Sequence, residues 1–423
     1  EPVSSILNFE QLLELGRRGE LSADERPIVQ IVDWLLQYAF AQRASDIHLE
    51  PRRDQAVVRF RIDGVLHTVY QIPSGVQAAM TARIKLLARM DVVERRRPQD
   101  GRIKTRNSQG SEVEMRLSSM PTAFGEKLVM RIFDPEAVVK TWDALGFSSH
   151  DEQRWEQLVK RPHGIVLVTG PTGSGKTTTL YSTLKRVATE EVNVATIEDP
   201  IEMIEPSFNQ TQVQPQLDFS FAEGVRTLMR QDPDIIMVGE IRDLETADMA
   251  IQAALTGHLV FSTLHTNDAP SAITRLIELG VPSYLINATL LGVLAQRLLR
   301  TLCPHCRVPD EAGEQKRLLT EAIQPWNLTG EYRGFRAVGC LECRMTGYHG
   351  RTGVYELLTV TESFKALVTP QPDIDALRRQ GMRDGMRPLR QSGALRVADG
   401  TTTLDELLAT TPDVQRNVAR EDI

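Results

Sequence analysis

The chain of 423 residues has no apolar run near the ~20 residues that a membrane-crossing helix needs. No signal peptide is visible either. The chain starts at Glu1 rather than Met, as a chain without its true N-terminus would. Aromatic residues make up only 5%, and no basic excess exists: 49 Lys and Arg stand against 56 Asp and Glu, for a net charge of −7. A nucleic-acid binder usually carries the opposite balance, so no direct contact with nucleic acid is expected. The short run Arg95-Arg96-Arg97 reads as a solvated face or, at most, a protein interface. No internal repeat is present. Cysteine is scarce, with four in all. What remains, 41% hydrophobic and 25% charged residues, suits a soluble globular protein of two to three domains.

Periodicity divides the chain. Residues 1–27 are a polar lead. Apolar positions recur at helical spacing from Pro27 to Arg43 (Ile28, Ile31, Val32, Leu35, Leu36, Ala39). "ASDIHLEP" and "AVVRFRIDGVLHTVY" alternate with period two, and Asp63-Gly64 between such runs signals a hairpin. A helix over Gln77 to Met90 and three more strand-like pieces follow, so residues 28–135 read as a small α+β domain. Residues 136–151 look like a connector. From 152 to 302 strand candidates alternate with helical patterns over Phe221–Arg230 and Leu244–Thr256, which argues a parallel α/β sheet. The cysteines occupy 303–350, and 351–423 reads as mostly helical.

Within the α/β segment, "GIVLVT" precedes an expected nucleotide-binding stretch, Gly170 to Thr178, and a helical run follows. The first eight residues of that stretch are Gly170-Pro171-Thr172-Gly173-Ser174-Gly175-Lys176-Thr177. This matches G-x-x-x-x-G-K-[ST]. The glycines let backbone N–H groups turn inward around phosphates, Lys176 reaches the β- and γ-phosphates, and the Thr177 hydroxyl suits Mg²⁺. The helix N-terminus adds a favourable dipole for anions.

Two acidic clusters come later: Glu198, Asp199 and Glu202 in "TIEDPIE", and Glu240 and Asp243 in "MVGEIRD". Ligands bind beyond the carboxyl ends of the strands in an open parallel sheet, so these acids are expected to converge on the terminal phosphate. The apolar run Ile235–Val238 ends in Gly239 and Glu240, where such strands usually end in a magnesium-serving aspartate. The bland alternative for an acid here, Asp199 above all, is a turn or helix cap. In "TGHLVFSTLHTND", His265 sits at a strand's carboxyl end, where it could sense the phosphate, and His258 at its start. A histidine at a strand end is more often structural.

Cys303-x-x-Cys306 and Cys340-x-x-Cys343 form two pairs. Paired C-x₂-C units read as a closed, structural Cys₄ zinc site with no open position for catalysis. His305 competes as a ligand. A disulfide, free thiols and an iron–sulfur cluster are the alternatives, the disulfide disfavoured in a reducing cytosol.

Together, "GPTGSGKTTTLY", "TIEDPIE", "DPDIIMVGEIRD" and "TGHLVFSTLHTNDA" resemble the secretion ATPase superfamily of type II secretion and type IV pilus systems. "ASDIHLE", "RFRIDGVL", "RPQDGRI" and "GEKLVMRI" look like its preceding domain. The resemblance implies a RecA-like P-loop ATPase domain after a smaller PAS-like domain, with a zinc-binding insertion. It implies that Glu202 activates the attacking water, that Glu240 acts on the metal side, and that His265 and His258 form a histidine box. It implies hexameric rings in which the first domain supplies arginines, matched here to Arg116 and Arg131, with Arg226 and Arg230 as further candidates. A guanidinium against the γ-phosphate can be worth ~10³–10⁵ in rate. The tetracysteine insertion resembles secretion and pilus-extension members rather than retraction ones. Such members carry an N-terminal domain that docks on a membrane platform, and only a short polar lead stands in its place.

The leading expectation is an ATP-driven motor for pseudopilus or pilus assembly, peripheral at the cytoplasmic face of the inner membrane. The alternatives are a DNA-uptake or conjugation motor and a non-hydrolysing nucleotide-binding scaffold.

Overall fold

A computed structural model describes residues 22–133, 140–311, 313–324, 326 and 331–412. The lead up to residue 21, part of the connector and the last residues of the tail lie outside them. The chain forms two compact units, Glu1–Ala137 and Val138–Ile423. Among the described residues no helix is long and apolar enough to cross a membrane.

Among the described residues, the first unit is an antiparallel sheet with two helices. α1 (Arg26–Ala41) buries the predicted stripe Ile28, Val32, Leu35, Leu36 and Ala39. The strands are β1 (Asp46–Pro51), β2 (Ala56–Ile62), β3 (Val65–Ile72), β4 (Gln99–Arg106), β5 (Glu112–Thr122) and β6 (Gly125–Phe133), in the order β3-β2-β1-β6-β5-β4. α2 (Ser74–Leu87) lies between β3 and β4 in sequence. Alternation buries one face: Val58 and Phe60 of β2, and Met115 and Leu117 of β5, join Ile47 and Leu49 in the core. The β2–β3 hairpin turns on Asp63 and Gly64, both at positive φ (50° and 87°), as the Asp-Gly pair predicts.

The second unit opens with α3 (Trp142–Leu145) and α4 (Ser149–Val159). Trp142 and Trp155 are buried, and both indole N–H groups donate to Thr183 Oγ1. The connector expected over 136–151 is therefore partly core. Seven strands follow in the order β15-β12-β7-β11-β10-β8-β9. They are β7 (Gly164–Thr169), β8 (Val194–Glu198), β9 (Asn209–Gln212), β10 (Ile235–Val238), β11 (Leu259–Leu264), β12 (Leu290–Leu302) and β15 (Tyr348–Thr359). All pairings are parallel except β12–β15. β7, β8, β10 and β11 are buried along their whole length, the mark of a parallel sheet covered on both faces.

The helices are α5 (Lys176–Val187), α6 (Phe221–Leu228), α7 (Leu244–Leu255), α8 (Pro270–Glu278) and α9 (Ser283–Thr289). Beyond β12 come the short pair β13 (Val308–Pro309) and β14 (Phe335–Arg336), with α10 (Glu314–Ala322) between them in sequence. The tail departs from expectation at its start, because Tyr348–Thr359 is an edge strand of the main sheet. Only then do α11 (Glu362–Lys365), α12 (Ile374–Arg383), α13 (Leu389–Ala398) and α14 (Leu404–Thr410) follow.

Candidate active site and cysteine centre

The parallel register sets where the chemistry collects. β7 ends at Thr169 opposite Leu264 of β11 and Ala295 of β12. β10 ends at Val238 opposite Ile197 of β8 and Ser262 of β11. The loop after β7, Glu240 after β10 and His265 after β11 thus leave the sheet at one end.

The loop needs its glycines. Gly170, Gly173 and Gly175 have φ of 151°, 79° and 88°. A Cβ on Gly170 would come 2.7 Å from the Gln296 carbonyl oxygen and 2.6 Å from Ser174 Oγ. Pro171, Thr172 and Gly173 are exposed, Thr177 is exposed at the start of α5, and Thr178 is half-buried beside it. Ser174 is buried with its hydroxyl unpartnered, in a cradle that a side chain on Gly170 would fill. This donor set fits a phosphate chain. Lys176 Nζ donates to the carbonyls of Gly170 (2.8 Å) and Pro171 (3.1 Å). Burial lowers its ammonium to about 8; Glu240 nearby opposes the shift and Arg297 adds to it.

Glu240 is largely buried and paired with Arg242, and one carboxylate oxygen lies 3.5 Å from His265 Nε2. His265 titrates below the usual histidine range, first through burial and then through the Lys176 charge. Lys176, Glu240 and His265 therefore form one cluster. Gly239 stands where an aspartate was expected. A Cβ there would stand 3.3 Å from the Phe221 ring, a tight contact, and 3.4 Å from the Ile197 carbonyl oxygen, an ordinary one. The Thr263 hydroxyl and the Ile197 carbonyl hold Gly239 through its own backbone.

The other acids separate by role. Glu198 is buried, accepting from Tyr181 (2.7 Å), Thr196 (2.6 Å) and Gln210 (3.2 Å). It is a structural junction between α5, β8 and β9 and does not converge on the loop as expected. Asp243 caps α7, accepting from the Thr246 N–H at 2.8 Å, and Asp199 is exposed. Glu202 is half-buried in the segment after β8, close enough to Tyr181 of α5 to help raise its phenol, mainly a burial effect.

The two histidines do not share a site within the unit. His258 precedes β11 at the opposite end of the sheet, where its carbonyl accepts from the Gly164 N–H and its Nδ1 lies 2.9 Å from the Ala253 carbonyl oxygen. The strand between them spans six residues, or roughly 20 Å. Arg226 pairs with Glu223 on its own helix, and Arg230 donates to the Arg226 carbonyl, the bland surface reading for both. In the first unit Arg116 and Arg131 face each other across β5 and β6. Arg131 donates to Asp46 at 3.0 Å, and the Arg116 guanidinium lies 4.7 Å from the Phe133 ring centre.

The four cysteines converge. Their sulfurs all lie within 4.8 Å of one another, with Cys303–Cys340 and Cys306–Cys343 both at 3.8 Å and Cys340–Cys343 at 3.7 Å. A disulfide needs ~2.05 Å. Four thiolates ~2.3 Å from a tetrahedral zinc would stand ~3.8 Å apart, so the donor set fits that ion. His305 is not in the cluster. The N–H groups of Gly339, Cys340 and Gly347 donate to Cys306 and Cys343 sulfurs at 3.1–3.3 Å. Burial opposes ionisation of Cys343, yet two of these N–H donors bring it down to about 6.

Sequence reasoning did not single out Gln296 or Arg297. Gln296 Nε2 donates to the Ser174 carbonyl at 2.6 Å, and Arg297 binds the segment after His265. No motif flags them, because their strand was not foreseen.

The sequence model of a family described as type II/IV secretion system protein matches residues 21–409. The chain belongs to the type II/IV secretion system protein family. It is 56% identical over 403 residues to the type IV pilus assembly ATPase TfpB of Acinetobacter baylyi, covering 95% of this chain and 68% of that protein. It is 45% identical over 402 residues to the type II secretion system ATPase E of Vibrio cholerae, covering 95% and 79%. Among solved structures, it is similar to the pilus retraction motor PilT with bound ADP (TM-score 0.61, 25% identity, 92% of this chain and 97% of that one). The Legionella pneumophila ATPase DotB shares the fold, with TM-score 0.68 at 19% identity over 92% and 96% of the two chains.

Proposed function

We propose that this family member is a Mg²⁺-dependent ATPase that powers assembly of a type IV pilus or type II secretion pseudopilus. The convergence of Lys176, Glu240 and His265 beside the glycine cradle carries the reading. The backbone N–H groups of Gly173 to Lys176 and the Lys176 ammonium hold the phosphates, and Thr177 and Glu240 would hold the magnesium. The ion would supply neutralisation of the charge that develops on the transferring phosphoryl group. Glu202 orients and deprotonates the attacking water, and His265 reads the γ-phosphate. The four cysteines hold a structural zinc.

The finer architecture follows the resemblance. The second unit is RecA-like and the first PAS-like, and the chain works as a homohexamer to which Arg116 and Arg131 contribute at the nucleotide. The ring sits at the cytoplasmic face of the inner membrane, bound through platform proteins.

The test is Mg²⁺-ATP turnover by the purified oligomer. Glu202→Gln should lower kcat by on the order of 10²–10⁴, the range of general-base removal, with ATP still bound. Unchanged turnover in Glu202→Gln would reassign the water to Glu240.

A further inference from the structure

β12 lies parallel to β7, and the ladder between them ends at Ala295 opposite Thr169. Gln296 and Arg297 are the next two residues, level with the start of the phosphate loop. Arg297 is only 6% exposed. Its Nη1 donates to the Gln296 carbonyl at 3.0 Å, and its Nη2 to the Asn267 carbonyl at 2.8 Å and to Asn267 Oδ1 at 3.4 Å. No carboxylate lies within ion-pair distance of it among the described residues, and its charge is balanced from farther off by Glu356 and Asp268. Burying a cation among carbonyls costs desolvation free energy that an apolar residue would avoid. Stability alone therefore does not account for Arg297.

What the guanidinium touches does. Gln296 grips the phosphate loop through Ser174, while Arg297 grips the segment that follows His265. That segment is held at four consecutive residues by four different elements. The Thr266 N–H and hydroxyl meet Thr169 Oγ1 of β7, both at 2.8 Å. Asn267 meets Arg297 of β12. Asp268 Oδ2 accepts from Arg378 of α12 at 3.0 Å. The Ala269 N–H donates to Glu356 of β15 at 2.7 Å. Two of these anchors are tied to the loop: Thr169 directly precedes Gly170, and Arg297 is joined, through the Gln296 carbonyl it also binds, to the residue that holds Ser174.

We propose that Arg297 is a positioning residue for ATP hydrolysis, fixing His265 relative to the phosphate loop by bridging the Gln296 and Asn267 carbonyls. The assignment rests on the ATPase reading above. A side chain acting this way changes the rate of the chemical step more than nucleotide affinity, because a displacement near 1 Å costs up to ~10²-fold in rate.

The test is steady-state ATP turnover by the full-chain oligomer for Arg297→Gln, Arg297→Lys, His265→Ala and the double variant Arg297→Gln/His265→Ala. Arg297→Gln should lower kcat by ~10–100-fold with KM for ATP within about threefold. Arg297→Lys, which keeps one donor to Asn267, should recover about half of that loss on a logarithmic scale and carries the test if the Gln variant does not fold. The double variant should be within about twofold of His265→Ala, since a residue acting through His265 has nothing left to position. Losses that multiply in the double variant, or a kcat unchanged in both Arg297 variants, overturn the assignment and leave the ATPase reading standing. A wild-type oligomer without turnover overturns both.

Discussion

The second unit has two places fitted to hold an ion, and they are built on opposite plans. At the phosphate loop, polar atoms are left unspent: the Ser174 hydroxyl is buried without a partner, and Thr177 and half of His265 face solvent. At the cysteine centre, everything is spent. Four sulfurs face one another, and backbone N–H groups donate to two of them, Cys306 and Cys343. The difference teaches how to tell a site for turnover from a site for folding. Groups that must be reformed on each substrate are kept available, whereas groups that bind once are turned toward one another, two of the four cysteines buried and two half-buried.

The comparison breaks most easily at Lys176. Lys176→Ala should lower ATP turnover by at least ~10³-fold, as loss of a principal phosphate-charge contact does, with the melting temperature changed little. Gly170→Ala comes next. Its added methyl meets the Gln296 carbonyl and Ser174, so ATP affinity measured by a fluorescent analogue should fall by about 10–100-fold, a penalty of order 1–3 kcal/mol for a strained backbone. Removing zinc by chelation, or Cys340→Ser, should act on the other region. The second unit's melting temperature should drop by several degrees (roughly 2–4 °C per kcal/mol lost) while ATP affinity stays within about twofold. The smallest effect is in pH. Lys176 ionises near 8, and the proposed phosphate contact needs it protonated, so kcat/KM for ATP, which reports the free enzyme, should decline as pH rises through about 8. Thermal unfolding over the same range should not follow that profile.

Much of this contrast was legible in the sequence because it rests on local patterns. The loop is a contiguous motif between a fully apolar strand and a helix. The cysteine pairs announce themselves by spacing, and the hairpin at Asp63-Gly64 by a dipeptide that favours two positive φ values. What was not legible depends on tertiary context. β12, "LLGVLAQRLLRTL", is made largely of residues with high helix propensity, and only its place between β7 and β15 makes it a strand. With that strand unforeseen, so were Gln296 and Arg297. β15 was likewise absorbed into a tail read as helical. Glu198 and Glu202 are indistinguishable as letters; burial beneath Tyr181 and Gln210 sets the first apart as structural. His258 and His265 lie in one motif, yet a six-residue extended strand puts them at opposite ends of the sheet. At Gly239 the nearest neighbour of an added Cβ is the Phe221 ring at 3.3 Å, a tertiary contact that no single-sequence pattern carries.

The central claim is that one region turns over a nucleotide while the other only holds the fold. The most direct test measures both on one preparation: ATP turnover and zinc content of purified Lys176→Ala oligomer against wild type. The account predicts turnover reduced by at least ~10³-fold with one zinc per chain retained in both. Turnover persisting in Lys176→Ala, or wild-type protein that is fully folded with no zinc, would contradict it.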